Sequence, residues 1–208
     1  MAAPWRSLLD WWFGSGPGTG FGPAADAITV AAARHGLWFG KRDHQDAEAR
    51  ERFGEWVEQA LDGGLSDWAQ SPEGWLALIL LLDQLPRMIH RATPRAFAGD
   101  GRAQALARQG LERGWDARLP AIARLFIHLV FEHAEDLAVQ ERSVALARAL
   151  HDGAPQAERE LFAGFLDYAE RHRRVIARFG RFPHRNDLLG RPSTPDEVLF
   201  LQQPGSRF

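Results

Sequence analysis

The sequence predicts an all-α fold, and three observations carry that reading. Apolar residues recur at helical spacing, prolines stand where helices begin, and no segment shows the period-2 alternation of a half-buried strand. About eight or nine helices account for the 208 residues, a length that suits a single domain with a sizeable core.

In chain order, "LLDWWFG" (8–14) is a short apolar helix, and "GSGPGTGFG" (14–22) then reads as a glycine-rich connector. A phosphate-cradling loop is disfavoured there, because no strand precedes it and no Gly-Lys-Ser/Thr follows. "AEARERFGEWVEQAL" (47–61) is helical. Ser71-Pro72, Thr93-Pro94 and Thr194-Pro195 each set a capping side chain before a proline at the first helical position, and Glu197 completes a capping box with Thr194. Pro23, Pro120 and Pro155 mark further starts more weakly. "EGWLALILLLDQL" (73–85) and "PAIARLFIHLVFEH" (120–133) are apolar around the whole circumference, so both are expected at the centre. Over 158–179 the pattern is one-faced: Leu161, Phe165, Tyr168, Ala169, His172, Val175, Ile176 and Phe179 share a stripe, with Arg174 and Arg178 opposite on a solvated face. Gly180 and Pro183 end that helix, and 180–193 follow as an ordered polar loop.

Composition narrows the function classes. The formal charge is only −2 and 45% of residues are apolar, which points to neither disorder nor a nucleic-acid partner. Without Cys there is no disulfide, thiolate metal site or Cys nucleophile, in keeping with a cytoplasmic location. The longest apolar run, "WLALILLL", is far short of the roughly 20 residues that span a bilayer, so no membrane partner is expected. The start has no cleavage pattern of a signal peptide.

Chemistry concentrates at helix ends. One central helix ends with Asp83, Gln84 and Arg87, the other with His128, Glu132, His133, Glu135 and Asp136. If the second helix continues unbroken, His128, Glu132, Glu135 and Asp136 share an arc of about 100°. Buried carboxylates need partners or protons, and residues 172–191 hold six Arg against one Asp, so acidic helix end and basic loop are expected to meet. The donors of interest are Arg181, His184, Arg185 and Asn186, with His172 on the apolar stripe beside them. The bland alternatives are that Asp136 caps the next helix, that Glu132 fastens the loop through one Arg, and that His172 is a satisfied core histidine.

Three strings, "LLLDQLPRMIHRATPRAFAGD" (80–100), "FEHAEDLAVQERSV" (131–144) and "HRRVIARFGRFPHRNDLLGRPSTPDE" (172–197), resemble the signature stretches of the bacterial domain-of-unknown-function family 924, and "LLDWWFG" resembles its opening. The resemblance implies a tetratricopeptide-like helical fold and brings no reaction with it. Met88, His90 and Ala92 depart from the family pattern, Ala92 standing where Gly is common. Three functional readings follow. The first is a polar pocket for a small anionic metabolite between the acidic 132–136 and basic 181–186 stretches, in which Arg181, His184 and Arg185 face Glu132, His133 and Asp136, Glu132 or His133 moves protons, and Asp83, Gln84, Arg87, Glu135, His172 and Asn186 are further binding residues. The second is a helical protein-interaction module. The third is a metal-dependent hydrolase using His128, Glu132, Glu135 and Asp136, which the want of a dense His pair disfavours, so no cofactor or metal is expected.

Overall fold

Helices supply all the regular structure. The computed structural model describes residues 3–16, 20–21 and 26–207, and among these there are ten α-helices and no strand. They are α1 (Arg6–Phe13), α2 (Ala27–Phe39), α3 (Asp43–Leu61), α4 (Pro72–Leu82), α5 (Gln84–Ile89), α6 (Asp100–Glu112), α7 (Ala121–Glu132), α8 (Leu137–Asp152), α9 (Arg159–Phe179) and α10 (Pro195–Leu201). Helices α4 and α5 are one rod broken at Asp83, which leaves nine rods. None of the described helices is long and apolar enough to cross a membrane.

The caps follow the side chains available. Ser71 accepts from the Gly74 N–H, and Thr194 with Glu197 forms the full capping box. Thr93 differs: it precedes only a 3₁₀ turn, Pro94–Phe97, and its hydroxyl donates to the His90 carbonyl instead. Pro120 and Pro155 sit one position before the first helical residue. Pro23 and much of the 14–22 connector lie outside the described residues.

Helix α4 contacts α3, α5, α6 and α7, while α7 contacts α2, α4, α6, α8 and α9. Both are buried on nearly every side, as uniformly apolar helices must be. Phe126 of α7 anchors an aromatic cluster, with ring centroids 4.9 Å from Trp38, 5.3 Å from Trp12 and 5.5 Å from Phe13. Burying a ring of this size contributes about 1.5–3 kcal/mol. On α9, Ala169, His172, Val175 and Ile176 are buried, and Arg174 and Arg178 are exposed. Gly180 closes α9 in the left-handed region (φ 69°), its N–H donating to the Ile176 carbonyl.

Two local events position the site. Pro86 has no N–H for the Leu82 carbonyl and its ring crowds that carbonyl, so α4 stops there. Gly99 packs onto the freed oxygen, where a Cβ would stand only 2.1 Å away, and this contact sets Asp100, the first residue of α6, beside Arg87. The second event corrects the sequence expectation. Helix α7 ends at Glu132, and Asp136 is already extended (φ −147°, ψ 124°) as the cap of α8. The shared arc of His128, Glu132, Glu135 and Asp136 therefore does not form.

Candidate functional site

A cavity of about 560 Å³ lies between α2, α5, α7, α9 and the loop after α9. Trp12, Leu37, Trp38 and Leu129 form an apolar wall. The polar part of the lining carries Gln84, Arg87, Glu132, His133, His172, His184 and Arg185.

Asp83 lies behind the polar wall with no exposed surface. The break between α4 and α5 turns it inward, where Gln84 Nε2 donates to Oδ2 at 2.6 Å and His133 Nδ1 lies 2.7 Å from Oδ1. Arg87, one turn along α5, donates to the Asp83 carbonyl at 2.8 Å and forks onto Asp100 at 2.8 and 3.0 Å. Burial opposes the Asp83 charge, yet the Arg87 charge 3.3 Å away and the hydrogen bonds from His133 and Gln84 outweigh it and hold the carboxyl well below the usual range. Because Asp83 is an ionised acceptor, His133 donates through Nδ1, and Nε2 holds the lone pair. Burial, and then Arg87, push the His133 pKa down, so the ring is neutral.

Glu132 experiences the opposite effect. Burial, reinforced by the Asp83 charge, raises its pKa to about 8, so it is protonated at neutral pH. Its Oε1 lies 3.2 Å from His172 Nδ1. That Nδ1 also faces the Tyr168 carbonyl at 3.0 Å, and since a carbonyl only accepts, Nδ1 carries the hydrogen. Burial lowers the His172 pKa to about 3, so both members of the pair are neutral.

Arg185 is 6% exposed, between the rings of Phe182 (4.5 Å) and Phe97 (4.7 Å). Nη1 donates to the His133 carbonyl at 3.1 Å and lies 3.6 Å from Asp100, whereas Nε is buried without an acceptor. Burial, with Arg87 nearby, lowers its pKa to about 10, which leaves it charged.

The remaining candidates stand outside the cavity. Arg181 forks onto Glu197 at 2.7 and 2.8 Å, and Asn186 donates to Ser193 and Glu197. Glu135 accepts from the Phe182 N–H and from both arms of Arg191, which also donates to Asn186. Asp136 accepts from the Val139 N–H. Arg181, Asn186, Glu135 and their partners form a closed clasp that holds the loop, so of the groups expected to face one another Arg181 and Asp136 stand outside the cavity, while His184, Arg185, Glu132 and His133 line it together. Among the described residues no three His, Asp or Glu side chains are arranged to hold a metal ion, and the four residues of the hydrolase reading are dispersed. Sequence reasoning missed Asp100, Arg191, Glu197 and the aromatic wall. Asp100 ends the 80–100 string, and Arg191 and Glu197 lie within or beside the basic loop, but nothing local says which carboxylate each Arg meets.

The family model described as a bacterial protein of unknown function, DUF924, matches residues 8–205. A solved structure of a protein of unknown function from Agrobacterium tumefaciens is 36% identical, with a TM-score of 0.72, covering 85% of this chain and 99% of that one. No curated protein matches. With nearly its whole length matched, the chain belongs to the DUF924 family of bacterial proteins.

Proposed function

We propose that the protein binds a small anionic metabolite in this cavity. The observation that carries the reading is the charge of the lining. Among the described lining residues Arg87, Arg91, Arg185 and Arg207 face a single carboxyl, Glu132, which burial keeps protonated. Asp46, Asp83 and Asp100 stand behind and pair with Arg91 and Arg87, whereas Arg185 makes one hydrogen bond to a main-chain carbonyl and has no acceptor for Nε. Low dielectric strengthens the field of such a cation, and a charge-assisted fork onto a carboxylate or phosphate offsets it. The volume is of the size that small ligands occupy, and the aromatic wall suits an apolar body behind an anionic head. A free anionic metabolite and a chain without Cys both fit a cytoplasmic setting.

Thermal shift and calorimetry with a panel of phosphorylated and carboxylated metabolites test this. At least one anion should stabilise the parent protein, and Arg185→Ala should weaken its binding by about 10-fold or more. A panel in which no anion binds the parent would end the reading.

A further inference from the structure

We infer that the cavity carries out proton transfer beside a carbonyl group, with His133 as base and Glu132 as acid, on a small 2-oxo acid whose carboxylate is held by Arg185. The inference rests on the anion-binding reading above and names its substrate class and chemistry.

The geometry begins with the pair Asp83–His133. The 2.7 Å contact at Nδ1 fixes the ring and its tautomer, and Nε2, with its lone pair, has no partner among the described residues. His133 lines the cavity with 14% of its side chain exposed. Glu132 precedes it in the chain and lines the same cavity. Its Oε1 lies 3.2 Å from His172 Nδ1 but accepts no hydrogen bond there, and among the described residues no hydrogen bond holds either oxygen of the carboxyl. Arg185 donates to the His133 main-chain carbonyl and lines the same cavity. A 2-oxo acid presents a carboxylate, a carbonyl oxygen and a C–H on three consecutive carbons, matching three groups that line one cavity. Among the described lining residues there is no Ser, Thr or Cys, so His133 has no hydroxyl or thiol of those residues there to activate. Two neighbouring carboxyls with opposite protonation, Asp83 ionised and Glu132 neutral, are the pattern by which acid and base roles are separated.

In the step, the C3–H bond breaks and its proton goes to His133 Nε2. The electron pair of that bond becomes the C2–C3 double bond. The C2–O π pair moves to oxygen, which takes the Glu132 proton. The products are the bound enol, an imidazolium and a carboxylate, and the net charge is unchanged. Arg185 holds the carboxylate throughout. Asp83 is a positioning residue, since it touches His133, Gln84 and Arg87 and does not itself line the cavity.

The test is deuterium incorporation at C3 of pyruvate, 2-oxoglutarate and phenylpyruvate in D₂O, followed by NMR, with calorimetry on the same compounds. The parent protein should bind at least one of them and exchange its C3 hydrogens faster than buffer does. His133→Gln should slow that exchange by ~100-fold or more and Glu132→Gln by ~10-fold or more, the range general acid–base groups supply. Both variants should keep affinity within about threefold, since Arg185 holds the carboxylate. Asp83→Asn should lower the rate at saturation while leaving half-saturation in place, a split that a role confined to folding would not give. Binding to the parent without exchange above buffer, or exchange that survives His133→Gln, would overturn the inference and leave the anion reading standing. If phosphates bind the parent and no 2-oxo acid does, the substrate class is overturned. If no anion binds, both readings fall together.

Discussion

Arg181 and Arg185 stand four residues apart in one loop and have opposite surroundings. Arg181 has both arms of its fork on Glu197 and a further bond to the Pro192 carbonyl. Arg185 is more deeply buried, makes one hydrogen bond to a main-chain carbonyl and leaves Nε without an acceptor. A buried, under-satisfied cation costs stability, and a chain retains that cost only where the surroundings enforce it. The clasp is therefore the part of this loop that holds the fold, and the cavity wall is the part with donors left over. Trp12 extends the contrast, as its indole N–H is also buried with no acceptor although the residue lines the cavity.

The largest effect should come from breaking the clasp. Glu197 is 2% exposed and accepts from Arg181, Asn186 and the Thr194 N–H. Glu197→Ala should cost about 3 kcal/mol, the lower end for a buried pair because Arg181 is 28% exposed. Its bonds from Arg181 hold the carboxyl down at about 2. The folded pKa lies below the unfolded value, so this stabilisation is present above about pH 4.5 and is lost as pH falls through about 2. Denaturant unfolding of the two proteins should thus differ most near neutrality and converge in strong acid. Equal stability at pH 7 would remove the distinction between clasp and wall.

In the wall, Glu132 responds to pH with the reverse sign and His172 with the same sign as the clasp. Glu132 has a folded pKa of about 8, above its unfolded value, so its contribution is complete below about pH 4.5 and is lost as pH rises through 8. His172, lowered to about 3, contributes above about pH 6.5 and loses that as pH falls toward 3. Glu132→Gln keeps the shape and removes the titration. Relative to this variant, the parent protein should lose on the order of 2 kcal/mol between pH 5 and pH 8, less than the full linkage because a buried site relaxes. A constant difference across that range would mean that Glu132 is ionised in the fold.

The helices were legible because periodicity, proline and caps act within a few residues, as at Ser71-Pro72 and Thr194-Pro195. The end of α7 was not, since "HAED" after Glu132 holds neither Gly nor Pro, and the stop comes from Asp136 capping the next helix. The site was legible as a meeting of helix end and loop. Its division into clasp and wall was not, because the partner of Arg181 is 16 residues away and that of Arg191 is 56 residues away. Sequence supplies the donors, and tertiary packing decides which of them are left over. The apolar wall was hidden for a similar reason. Trp12 and Trp38 read as core residues, which they also are, and only the packing of α1 against α2 and of α2 against α7 brings them to a cavity.

The smallest effect sharpens the idea that the wall holds strain. Ala92 lines the cavity at φ 61°, in the left-handed region, where a Cβ crowds the following carbonyl. The family resemblance has Gly at this position, and the backbone gives the reason, since Gly occupies that region without penalty. Lys41, another cavity residue, has φ 48°, so two of the three non-glycine residues at positive φ among those described lie in this lining. Ala92→Gly removes the clash at Cβ but gives the unfolded chain more freedom, and the two oppose each other. Relief of roughly 1–2 kcal/mol against about 0.5–1 kcal/mol of added entropy leaves a gain of about 0.5–1 kcal/mol. For a chain of this length that is a rise in melting temperature of about 1–4 °C. Anion affinity, measured on the same protein, should stay within about twofold, because Arg185 and not residue 92 holds the charge. A stabilised variant that loses the anion would make the strained backbone part of the binding site. An unchanged melting temperature would mean that the turn after His90 does not hold Ala92 in the left-handed region in solution.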